Sequence, residues 1–227
     1  MLEPLLPPLS IGGKKLALLA GSVLDWQGDA FVNAANEGCV GGFGIDEVVN
    51  QAGGPELKSA RKQLGGCPTG HAKSTLAYSH TKTKHVVHAV GPVYRVNRVK
   101  QGFDEEDARA GPHMRSLDPL LRDAYRASLR CAGSECGASS VGFCLLSAGV
   151  FRGSRPLEAV VEIGLRTLVH ALATSSACAE GIESVAVCAF APEEQQALRA
   201  AGERVSHELA SGGDGSDHDL TRELLKG

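Results

Sequence analysis

Val32-Asn33-Ala34-Ala35-Asn36-Glu37-Gly38-Cys39-Val40-Gly41-Gly42-Phe43-Gly44-Ile45-Asp46 runs without a break into Glu47 to Gly54. The apolar run Ala30-Phe31-Val32 gives way to small amides and glycines, and these to a pattern in which Val48, Val49 and Ala52 share one helical face. The stretch reads as strand, loop and helix. Glycines let a backbone come close to a ligand, and a helix N-terminus offers unpaired N–H groups at the positive end of a dipole, so the junction suits an anion such as phosphate. The plainer alternative is a glycine-rich turn with no ligand. Asn33, Asn36 and Asp46 weigh against it, because a turn needs one residue tolerant of positive φ, whereas three short polar side chains beside the same glycines suit a hydroxylated ligand.

The chain has 227 residues, 43% of them hydrophobic, which is enough for one α/β domain with a packed core. A formal net charge of -3, with no basic stripe, argues against nucleic-acid binding through the phosphate backbone, and 4% aromatics argue against base stacking on a sheet. The seven cysteines are scattered, without a Cys-x-x-Cys pair, so neither a disulfide framework nor a zinc ribbon fits, and a reducing compartment is expected. Cys67 and His71 have no second pair at ligand spacing, and no metal site is expected. Met1 to Pro8 lacks the features of a signal peptide, and no apolar run approaches about 18 residues. An intracellular protein of the cytoplasm or nucleus, with no membrane association and acting as a monomer, is the expectation.

Lys14 to Ala20 and Ala30 to Ala34 read as strands, and Pro55 stands where a new helix begins, with Leu57, Ala60, Arg61 and Leu64 in its pattern. Ala72 to Tyr78 and Lys84 to Val90 are further strands, on which His85 and His88 read as sheet residues. Leu117, Leu120, Leu121, Ala124, Ser128 and Cys131 form a helical stripe with Ser116 as its N-cap. Val141 to Leu146 is a strand that feeds a second small-residue turn, Ser147-Ala148-Gly149-Val150-Phe151, before a helix from Pro156. Ser184 to Phe190 and Pro192 to Leu209 are the last strand and helix. The expected organisation is a loose segment over residues 1–13, one domain over 14–210 with a polar inserted loop over 95–116, and a flexible tail over 211–227. In such alternating folds ligands bind beyond the carboxyl ends of strands, where both glycine turns would lie.

Several ordered motifs then coincide: Gly21-Ser22-Val23, Asp29 to Asn36, Gly41 to Asp46, Ala52-Gly53-Gly54, Cys67-Pro68-Thr69-Gly70, Val87 to Pro92 and Ser147 to Phe151. Over most of Leu16 to Leu198 the sequence resembles a macrodomain, and within that superfamily the MacroD-like branch of ADP-ribose hydrolases. The resemblance implies a three-layer α/β/α sandwich with a central mixed sheet. It implies ADP-ribose as ligand, with O-acetyl-ADP-ribose and mono-ADP-ribosylated proteins as substrates, no cofactor and no essential metal. Nucleic acid would enter only as an ADP-ribosylated substrate.

Position by position, the resemblance places Gly41, Gly42, Phe43, Gly44 and Ile45 on the diphosphate, opposite Ser147, Ala148, Gly149, Val150 and Phe151. Phe151 would lie against the distal ribose, Phe190 beside the adenine with Ser22 and Val23, and Asn33 near the ligand. Asn36 and Asp46 would be the catalytic pair, Asn36 positioning the ribose and Asp46 handling water and substrate, with the general base either Asp46 or the ligand's phosphate. Four residues depart from the family's pattern. Ser22 replaces an Asp that would recognise the adenine amino group, with Asp25 as a substitute; Phe43 replaces a glycine; Glu47 replaces Gly; Asn50 replaces His. These departures keep open a non-catalytic ADP-ribose reader, and outside the family a generic nucleotide-binding α/β protein remains.

Overall fold

Among the described residues, eight strands form one sheet in the order β1-β3-β8-β7-β4-β6-β5, with β2 pairing β3 off that path. The computed structural model describes residues 1–94, 115–174 and 176–211. Its strands are β1 (Glu3–Pro4), β2 (Leu9–Ile11), β3 (Lys14–Ala20), β4 (Ala30–Ala34), β5 (Ala72–Leu76), β6 (His85–Ala89), β7 (Ser140–Cys144) and β8 (Ser184–Ala189). The α-helices of these residues are α1 (Ile45–Gln63), α2 (Asp118–Arg130), α3 (Leu157–Ala173) and α4 (Pro192–Ser211). The five central strands β3, β8, β7, β4 and β6 are parallel, while β1, β2 and β5 pair antiparallel at the margins, so the sheet is mixed.

Parallel strands need crossovers, and those crossovers distribute the helices. From β4 the chain crosses through α1 to β6 on one side, then through α2 to β7 and α3 to β8 in the opposite direction, so right-handed connections place α1 on one face and α2 and α3 on the other. α3 packs against both α2 and α4, which completes that second layer and gives the three-layer α/β/α sandwich. Strands covered on both faces read as continuous apolar runs, and Ala30-Phe31-Val32 on β4 and Val86-Val87 on β6 are fully buried.

Residues 1–13, expected to be loose, instead add two short strands to β3, and Leu5 and Ile11 are buried in the core. Two strands of two and three residues, flanked by prolines, carry no readable periodicity. Of the expected inserted loop at 95–116 and tail at 211–227, residues 95–114 and 212–227 lie outside the described residues. Where the chain enters and leaves the first of these, Tyr94 donates its hydroxyl to Asp118 Oδ1 at 2.9 Å, and Asp118 Oδ2 is paired with Arg155 at 2.7 Å. Ser116 does not cap α2; Leu117 stands at the cap with no side-chain bond, and Pro119 fills the first turn.

α1 is two helices joined at a kink. Gly54 sits at φ 74°, ψ -167°, and Pro55 follows it, having no N–H to donate and disfavouring helical geometry in the residue before it. The first half starts the site and the second half reaches back to it.

Candidate functional site

At the carboxyl ends of β4, β7 and β8 lies a cavity of about 570 Å3, within the usual range of roughly 300–1,000 Å3 for small-molecule sites. Gly42, Phe43, Gly44, Ile45 and Asp46 form one wall and Ser147 to Phe151 line it with them, while Ser22, Val23, Phe190 and Glu194 also contribute. The first wall ends in the N-terminus of α1, whose cap is Gly44 with no side-chain hydrogen bond, so the first-turn N–H groups are left for a ligand. Across from it, Gly149 caps the short 3₁₀ turn Val150–Arg152, again without a side-chain bond. Ser147 takes left-handed geometry, φ 55°, and donates its hydroxyl to the Pro92 carbonyl at 2.8 Å, which anchors that turn to the end of β6.

Asn36 is half-buried at the wall. Its Nδ2 donates to the Gly41 carbonyl at 2.6 Å and its Oδ1 accepts from Cys39 N at 3.0 Å, so the amide shapes the loop and still keeps one N–H and one lone pair. Asp46 is 2% exposed. Its Oδ1 accepts from Asn33 Nδ2 at 2.6 Å and lies 2.6 Å from Arg61 Nη2, an ionic contact that does not meet hydrogen-bond geometry. Its Oδ2 has no partner among the described residues.

Two residues expected at the ligand are absent from the cavity lining. Asn33 is fully buried and absent from the cavity wall; its amide bridges Asp46 and His88, whose Nδ1 lies 3.2 Å away. Gly41 also lies off the wall, at φ 148°, where a β-carbon would stand 2.7 Å from Asn50 Nδ2. Asp25, suggested as a substitute at the adenine end, is engaged elsewhere: Oδ1 pairs with Lys82 and Oδ2 with the chain's N-terminal amine. Ser22 Oγ accepts from Leu24 N at 3.3 Å and caps a short 3₁₀ turn. Phe43, the bulky residue in the glycine loop, is not in the positive-φ region and is 88% exposed, so it stands at the rim without backbone strain. Phe190 is likewise exposed at 73%.

Sequence reasoning missed Arg61, Glu194 and the thiols of the cavity. Arg61 gave one signal, a charged residue within an apolar helical stripe. Glu194 Oε2 accepts from Phe190 N and Ala191 N at 3.0 and 3.1 Å and so fixes the turn into α4. Cys144 and Cys188 line the cavity, but burial pushes each thiol up to about 12, so neither supplies a thiolate nucleophile near neutral pH. Beneath the site a polar chain runs from β5 to α1. Asn33 donates to His88 Nδ1, which assigns the proton to Nε2, and Nε2 donates to Thr75 Oγ1 at 3.0 Å. Burial chiefly, and the Arg61 charge next, push His88 down to about 3, so the imidazole is neutral.

The sequence model of the Macro domain family matches residues 32–163. A macro domain-containing protein of Caldanaerobacter subterraneus is 38% identical over 167 residues, spanning 72% of this chain and 84% of that one. The O-acetyl-ADP-ribose deacetylase of Escherichia coli is 37% identical over 158 residues, spanning 68% and 78%. Among solved structures, a Trypanosoma brucei macrodomain in complex with ADP-ribose superposes with a TM-score of 0.69 at 28% identity, covering 88% of this chain and 74% of that one. An Oceanobacillus iheyensis macrodomain with ADP gives 0.72 at 22% identity, covering 88% and 96%, a likeness of fold alone. The chain belongs to the macro domain family and is of the MacroD-like type.

Proposed function

We propose that the cavity binds ADP-ribose and that the protein hydrolyses ADP-ribosyl esters, O-acetyl-ADP-ribose among them. The observation that carries this reading is Asp46 Oδ2, a buried carboxylate oxygen of a cavity-wall residue, without a partner among the described residues and close to the same face of Gly42 as Asn36 Nδ2. Buried polar atoms are ordinarily satisfied, and an orphan acceptor beside a second polar group suits a ribose hydroxyl or a water. The two capless turns would hold the diphosphate through N–H groups, and Asn36 and Asp46 would stand at the distal ribose. The 37% identity to a protein named O-acetyl-ADP-ribose deacetylase supports the reaction class. In the reaction, water adds across the ester: the acyl group leaves as a carboxylic acid and the ribose hydroxyl is restored. Mono-ADP-ribosylated Asp or Glu side chains present the same bond, and we extend the proposal to them. As proposed, the reaction uses no cofactor.

A second reading, a reader that binds without turnover, draws on the same residue. Asp46 Oδ1 is held by Asn33 and Arg61, and Oδ2 is covered by Gly42, which restrains the carboxylate. The test is release of ADP-ribose from O-acetyl-ADP-ribose and from a mono-ADP-ribosylated acceptor, with Asp46→Asn in parallel and ADP-ribose calorimetry on both. Turnover abolished in the variant supports the hydrolase. Binding with no turnover above the variant leaves the reader, and no binding by the native protein removes both.

A further inference from the structure

Arg61 heads the largest side chains fully withdrawn from solvent. It stands on the half of α1 beyond Gly54, and its guanidinium reaches back across the kink. Nε donates to the Cys39 carbonyl at 2.8 Å, Nη1 donates to Asn50 Oδ1 at 2.6 Å, and Nη2 lies 2.6 Å from Asp46 Oδ1. Asn50 in turn donates to the Val40 carbonyl at 3.3 Å. Two successive carbonyls at the entrance of the glycine loop are therefore held by side chains of α1, as is the carboxylate at its exit.

An exposed ion pair contributes little, and this one is not exposed. A buried pair is poor evidence for stability, because desolvation offsets its attraction, but it fixes geometry where several acceptors must be held together. Guanidinium suits that role because it presents N–H donors in a rigid planar fork, whereas a lysine ammonium is a point charge on a flexible stem. Here the fork, carried on the second segment of α1, ties together a loop carbonyl and an amide and a carboxylate of the first segment.

We propose that Arg61 is a positioning residue for this site: it holds Asp46 through Oδ1, so that Oδ2 faces Gly42, and it sets the backbone of Cys39 to Gly42 directly and through Asn50. The functional consequences rest on the ADP-ribose reading, whereas the positioning itself is a property of the free protein and is tested there first.

The variants are Arg61→Lys, which keeps the charge but not the fork, and Arg61→Met with Asp46→Asn, which removes both charges together and guards against loss of folding. Amide chemical shifts of the free protein give the first readout. Shifts at residues 39–46 should change while those of β7 and β8 stay fixed; unchanged shifts at 39–46, or equal changes throughout, overturn the proposal. In activity, Arg61→Lys should weaken ADP-ribose binding and lower kcat on O-acetyl-ADP-ribose, each by about 10-fold or more, as expected when hydrogen bonds to charged groups are lost. In the Asp46→Asn background, where turnover is already abolished, Arg61→Met should still weaken ADP-ribose binding through the loop. Unchanged ADP-ribose binding in that background refutes the action of Arg61 on the loop. A native protein that binds no ADP-ribose removes the functional reading, and the amide shifts still decide the role of Arg61.

Discussion

Gly42 lies directly over Asp46: a β-carbon at position 42 would stand 3.0 Å from the carboxylate Oδ2 and 3.2 Å from Asn36 Nδ2. Real β-carbons rarely come so close to a neighbour, and here both neighbours are held by other bonds. Gly42→Ala should therefore displace Asn36 or Asp46 rather than unfold the chain. The expected result is a loss of ADP-ribose affinity of about 10-fold or more, equivalent to about 1.4 kcal/mol, with the unfolding midpoint nearly unchanged. Native affinity in the variant would show that the Asn36–Asp46 gap is not part of the binding surface.

Phe43 stands at the rim with 88% of its surface exposed. Phe43→Ala should leave the unfolding free energy within about 0.5 kcal/mol, the usual range for surface changes. Because the side chain borders the cavity, ADP-ribose binding should weaken by about 3- to 10-fold, matching the loss of a partly buried apolar contact. Calorimetry checks the second claim, and tighter binding in the variant would mean that Phe43 obstructs the loop.

The neutral His88 makes stability depend on pH. Its folded value of about 3 lies below the ordinary 6.5, mainly through burial. Between those limits the unfolded chain takes up a proton that the folded chain refuses, so the contribution is complete above about pH 6.5 and is lost as pH falls toward 3. The slope from this residue reaches at most about 1.4 kcal/mol per pH unit. Urea titrations across that window should show a flatter dependence for His88→Gln, whose amide can still meet Asn33 and Thr75. An unchanged slope would mean that His88 is not the group responsible.

Gly164 of α3 faces Tyr125 of α2 so closely that a β-carbon would stand 2.5 Å from the phenol. The phenol is itself fixed, its oxygen accepting from Leu146 N at 3.1 Å. Gly164→Ala should destabilise the fold by about 1–3 kcal/mol through overpacking, despite the better helix propensity of alanine. Chemical denaturation measures it, and a stabilised variant would show that the two helices separate freely.

Most of the sheet and the four long α-helices of the described residues were legible because their apolar patterns repeat over several residues, as on β3, β4 and α3. The kink in α1 was legible as well, since Gly54-Pro55 is a local signal. What was hidden depends on partners distant in sequence. Asn33 looked like a ligand contact because its short amide stands among glycines, yet the fold turns it toward His88 and Asp46. Arg61 looked like an ordinary member of a helix, and its role arises only when the chain folds back so that the carbonyl of Cys39, 22 positions earlier, meets its Nε. The engagement of Asp25 was hidden for the same reason, since Lys82 and Met1 arrive beside it only in three dimensions.

The bond between Tyr94 and Asp118 bears on how this family member can vary. It ties Tyr94, five residues beyond the end of β6, to the first turn of α2, so these two parts of the core are held together directly. A variant that breaks the clasp would therefore disturb the cavity wall at Phe151, whose carbonyl accepts from Tyr94 N at 2.7 Å.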